Sequence, residues 1–132
     1  MQYNIATSVS VAAATGCFTV AVFCWGFARG PRHDHFRWAA IGALADAGYC
    51  LTDAVIGGSD TWVAGIVWAA RMGLVLACAH SVAWMVFLAS WARIPLGRPA
   101  RVIVGSNLVG IPLSVVPDLA ILDGEVSERA IP

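Results

Sequence analysis

The stretch Trp62–Ala92, WVAGIVWAARMGLVLACAHSVAWMVFLASWA, decides the class of fold. Its only formal charge is Arg71. At 1.5 Å per residue its roughly 30 residues make about 45 Å of helix. A bilayer core about 30 Å thick needs about 20 apolar residues, so this run can cross it and must tilt or protrude. Working outward, Gly57-Gly58-Ser59-Asp60 is a turn signal before the run, and Ile94-Pro95-Leu96-Gly97-Arg98-Pro99 stops it. Three more stretches are apolar enough to span: about Ile5–Ala28, Trp38–Gly57 and Arg101–Leu122. The first ends in Arg29–Arg37, where Pro31 and the charges cannot continue a helix in lipid. Pro112 and Pro117 predict kinks in the last span, and Asp123–Pro132 reads as a short polar tail.

Composition agrees. The 132 residues are 59% hydrophobic and 12% charged, with formal net charge zero. A soluble domain carries about 25% charged residues. A disordered chain needs low hydrophobicity and high charge, and a nucleic-acid module needs a phosphate-neutralising face. Both are excluded. Continuous rather than alternating apolar runs argue against a transmembrane barrel. The first run has no basic stretch before it and is too long for a signal peptide. The expectation is an all-α polytopic membrane protein. Residues 1–132 would form one domain, a bundle of four transmembrane helices, with the lipid bilayer as its first partner.

Arginine orients the bundle. Arg29, Arg32 and Arg37 flank the first loop and Arg93, Arg98 and Arg101 the third, whereas the Gly57–Asp60 turn has none. The positive-inside rule puts both Arg-rich loops in the cytoplasm and both termini outside. Trp25, Trp38 and Trp91 then fall at the inner boundary and Trp62 at the outer one, as an aromatic belt requires.

Ionisable residues inside a span are costly and mark candidate functional sites. Asp46 and Asp53 share a face of the second span, Arg71 and His80 lie in the third, and Asn107 lies in the fourth. Reflection about Ser59 puts Asp46 level with Met72 and Asp53 level with Gly65. That register predicts an Arg71–carboxylate pair between the second and third helices. The cluster Asp46, Asp53 and Arg71 then reads as a packing clip, a proton- or ligand-responsive centre, or part of a transport pathway. His80 reads as a hydrogen-bond partner for a neighbouring helix. Haem ligation by His80 would need a second axial ligand at matching depth, which His33 and His35 in the loop cannot supply.

His33-Asp34-His35 falls short of a metal-ligand set and reads as a solvated loop. Cys17, Cys24, Cys50 and Cys78 lie within spans, where free thiols behave as small hydrophobes. Small residues every four positions, Ser8, Ala12 and Gly16 on the first helix and Ala39, Ala43 and Ala47 on the second, predict close helix packing. They also leave a homo-oligomer face open as a reading. No P-loop, G-x-S-x-G, H-E-x-x-H or G-x-G-x-x-G motif is present. No catalytic residue, cofactor or metal is expected.

Several of these features converge. An uncharged first helix leads to an Arg-rich loop, and the second helix opens Phe36-Arg-Trp-Ala-Ala-Ile-Gly-Ala-Leu-Ala45 and contains Tyr49. The third reads Trp68-Ala-Ala-Arg-Met-Gly73, then Ala83-Trp-Met-Val-Phe-Leu88, before a basic loop and a Pro-bearing fourth helix. This resembles the first four helices of the multi-helix membrane sensor modules, nearest the seven-helix type, at the N-termini of bacterial histidine kinases and related signalling proteins. The resemblance implies the bacterial cytoplasmic membrane and a signal passed to a kinase or cyclase partner. Within the 132 residues no output domain is expected, and the tail is expected outside. The resemblance therefore implies a truncated or stand-alone module, or a fragment of a longer sensor. The expected function is non-enzymatic signal sensing or relay. A small transporter or channel subunit using the intramembrane Asp and Arg residues is the alternative, and a structural subunit of a membrane complex the next.

Overall fold

In lipid the backbone has no water to bond, so each crossing segment must satisfy its own amides and carbonyls, which selects helix. The computed structural model describes residues 5–30, 33–58 and 63–116. It contains four α-helices: α1 (Ile5–Phe27), α2 (His35–Gly58), α3 (Val63–Ala92) and α4 (Arg98–Val115). Three of them, α1, α2 and α3 from Gly65, are long and apolar enough to cross a membrane. The all-helical expectation holds. Helix α2 starts at His35, ahead of Trp38, and α4 at Arg98, ahead of Arg101. Arg32, Trp62, the Ser59–Asp60 end of the turn, Pro117 and the tail lie outside the described residues, as does the end of the fourth span.

Two hydroxyls of α1 bond within the helix. Thr15 donates to the Val11 carbonyl at 3.0 Å and Thr19 to that of Thr15 at 2.8 Å. Helix α3 ends with Arg93 in the left-handed region, φ 54°. The Arg93 amide donates to the Ser90 carbonyl at 3.3 Å and the Ile94 amide to that of Ala89 at 3.1 Å. These two bonds form a Schellman cap, with arginine in the place glycine usually takes. Gly97 then caps α4, and Pro99 occupies its first turn, where a missing amide costs nothing. Pro112 lies inside α4.

Each helix packs antiparallel on its sequence neighbour. Among the described residues, α1 touches neither α3 nor α4, and α2 does not touch α4. The helices therefore stand in a row with two open faces. Five arginines, Arg29, Arg37, Arg93, Arg98 and Arg101, gather at one end of it.

Small residues make the contacts. On α1 the least exposed positions are Thr7, Ser10, Ala14, Cys17, Ala21 and Cys24, with Ala28 just beyond the helix. This alternating three-and-four spacing is the seam of a left-handed coiled coil. The face expected from Ser8, Ala12 and Gly16 is instead exposed. The reason is period: a four-residue repeat drifts around a helix, and a seven-residue repeat stays on a partner. On α2 the expected Ala39, Ala43 and Ala47 are buried, and Ala40, Ala43, Ala47, Cys50 and Ala54 form a three-and-four seam.

Candidate functional site

The α2–α3 register is set by glycines that accept large side chains. A Cβ on Gly42 would meet the Trp84 indole nitrogen at 3.2 Å, and one on Gly48 would meet Leu76 at 3.0 Å. From α3, a Cβ on Gly73 would meet the Thr52 hydroxyl at 3.0 Å. Each α2 residue thus faces an α3 residue roughly two turns, about 10 Å, beyond the one that reflection about Ser59 implies. Asp46 is level with His80, not Met72.

This shift changes the predicted ion pair. Asp46 Oδ1 lies 2.8 Å from His80 Nδ1, and the Gly42 carbonyl lies 3.3 Å from the same nitrogen. Carbonyl and carboxylate oxygens both accept, so Nδ1 carries a proton and donates. The second ring nitrogen, Nε2, keeps its lone pair or takes a further proton. The two side chains remain 32% and 40% exposed, His80 and Asp46 respectively, on one open face of the row. Asp46 falls midway along α2, so the pair sits near the centre of the span.

Arg71 does not join this pair. It shares a helix face with Cys78, seven residues on, and Cys78 Sγ approaches Gly110 of α4. Arg71 is therefore on the α4 side of α3, whereas Asp46 and Asp53 lie on α2. The expected Arg71–carboxylate pair between α2 and α3 gives way to Asp46–His80. Asp53 lines a groove between α2 and α3 with Tyr49, Thr52 and Gly73. Asn107 is satisfied within α4, where its amide donates to the Ile103 carbonyl at 2.9 Å.

A further feature lies beyond the residues that the sequence singled out. Aromatic rings connect the loop before α2 to the midplane pair. His33 and His35 have centroids 6.0 Å apart, and His35 lies 6.2 Å from Phe87. Phe87 meets Trp84 edge-on at 5.1 Å, and Trp84 lies 6.0 Å from His80. Phe36 packs at 4.5 Å on His35 and at 5.8 Å on Phe27 of α1. His35 is thus half-buried among rings rather than solvated. The relevant signal was the three-and-four spacing of His80, Trp84 and Phe87 on one face of α3. Outside it, Arg37 and Asp34 form an exposed pair at 3.5 Å, of the kind that adds little stability. No group of three metal-ligating side chains occurs among the described residues.

No family model, no curated protein and no solved structure matches the chain.

Proposed function

We propose that the chain is a non-enzymatic signal-sensing or relay module of the bacterial cytoplasmic membrane, acting with a partner chain. Both Arg-rich loops are then cytoplasmic and both termini outside, by the positive-inside rule. The observation that carries the relay reading is the continuous ring chain from His33 and His35 through Phe87 and Trp84 to the Asp46–His80 pair. Packed rings move together because interiors tolerate few voids. A change in the pair's protonation or packing shifts Trp84 and Phe87, and with them the loop a cytoplasmic partner reads. A signal shifts such an equilibrium only by its differential affinity for the two packings.

The test uses histidine-labelled full chain in lipid nanodiscs, read by NMR. His80→Ala moves the His35 resonances. In the Phe87→Ala background the same substitution leaves them still. Unchanged His35 resonances in His80→Ala overturn the relay.

A transport reading draws on Asp46 and Asp53, which lie on one open face. A single row of helices encloses no conduit among its described residues, so this reading needs further copies or a partner. Proteoliposome flux that Asp53→Asn abolishes would favour it. A structural subunit instead predicts a stoichiometric co-purifying partner.

A further inference from the structure

We propose that the groove between α2 and α3, on the Gly58 side of the Asp46–His80 pair, binds a lipophilic organic cation. This goes beyond the relay reading and does not rest on it. The groove is open along one side and offers a volume of about 320 Å³. That lies at the lower end of the range of small-molecule sites, about 300–1,000 Å³. Thr52 and Tyr49 close its floor against Gly73, where a Cβ would meet the Thr52 hydroxyl at 3.0 Å and the Tyr49 ring at 3.7 Å. Ile56 and Leu74 supply apolar wall.

Charge selects the ligand. Asp53 lines the groove and has no ion-pair or hydrogen-bond partner among the described residues. The Thr52 hydroxyl is already committed to the Tyr49 carbonyl at 2.7 Å. Asp46, the neighbouring acid, is held by His80. Arg71 lies on the α4 side of α3. The groove therefore presents one negative group, one aromatic ring and hydrocarbon.

A small metal cation does not suit this lining. Hard cations require six or more oxygen ligands, and no three-ligand group is present among the described residues. A weakly hydrated ammonium needs only a counter-charge and an aromatic face, with apolar contact for its body. Asp53, Tyr49 and the Ile56–Leu74 wall supply those three.

The test titrates benzyltrimethylammonium into the full chain in neutral-lipid nanodiscs, read by intrinsic fluorescence. Its neutral carbon isostere, neopentylbenzene, is the control. Saturable binding of the cation is expected, with little or no saturation by the isostere. Asp53→Asn weakens the cation's midpoint at least tenfold. Leu74→Trp fills the groove, keeps the charge and also abolishes binding, so the result does not hang on one variant. No saturation in the native chain overturns the proposal. So does equal binding of the neutral isostere, or a midpoint that neither variant changes.

Discussion

His80 Nδ1 donates to Asp46 Oδ1 at 2.8 Å across the α2–α3 seam, and the Gly42 carbonyl sits 3.3 Å from the same nitrogen. The contact joins two helices at mid-span, where an unpaired polar group has no water to turn to. It also fixes which imidazole nitrogen is protonated. Loss of either partner leaves the other polar group exposed to an apolar medium.

The pair should therefore show strong coupling. Asp46→Ala and His80→Ala are each expected to destabilise the chain by about 1–3 kcal/mol. The double variant is expected to lose less than the sum by about 1 kcal/mol. Thermal unfolding in a mild detergent measures this. Additive losses would show that the two side chains do not interact.

The seam of α1 gives a contrast between faces. Ala21 is buried at 2% exposure and packs on α2. Ala21→Leu overfills that contact, at an expected cost of about 1–3 kcal/mol. Ala12→Leu, on the exposed face, is expected to stay within about 0.5 kcal/mol of the native chain. Equal effects at the two positions would mean that Ala14, Ala21 and Ala28 are not the packing seam.

Glycines divide in the same way. Nothing lies within 4 Å of a Cβ built on Gly16, whereas on Gly42 it meets the Trp84 indole nitrogen at 3.2 Å. Gly16→Ala is expected to stabilise α1 by about 0.5–1 kcal/mol, since glycine is the poorer helix former. Gly42→Val is expected to destabilise and to shift the tryptophan emission. An unchanged emission spectrum in Gly42→Val would contradict the close approach of Trp84.

Arg93 carries a strain that glycine would release. Its φ of 54° is left-handed, a region that costs an L-residue roughly 1–2 kcal/mol. Arg93→Gly keeps the Schellman bonds and is expected to raise stability by up to about 1 kcal/mol. A fall in the unfolding midpoint would show instead that the guanidinium makes a stabilising contact outweighing the backbone strain. On the proposed orientation this loop is cytoplasmic and the Arg93 charge helps to set it, so the variant also tests topology: a weakened inside bias would appear as mixed orientation in vesicles.

The helices themselves were legible because spanning is a local property. Twenty-odd consecutive apolar residues must be helical in lipid whatever surrounds them, and Pro31, Gly57-Gly58 and Pro95 break the runs. The polar residues were legible too, because Asp46, Asp53, Arg71 and His80 stand out against hydrocarbon. Their partners were not. A turn fixes the order of two helices but only loosely their relative height. Here Gly42, Gly48 and Gly73 accept Trp84, Leu76 and Thr52, and that interlock slides α3 by about two turns.

Sequence alone determined the class, the helical spans and the charge asymmetry, all of which follow from composition along one chain. Tertiary structure decided that Asp46 meets His80, that Arg71 turns toward α4, and that the helices form a row with Asp53 in an open groove. Those outcomes depend on how side chains of one helix seat between those of the next, and a register set by steric fit is invisible to periodicity.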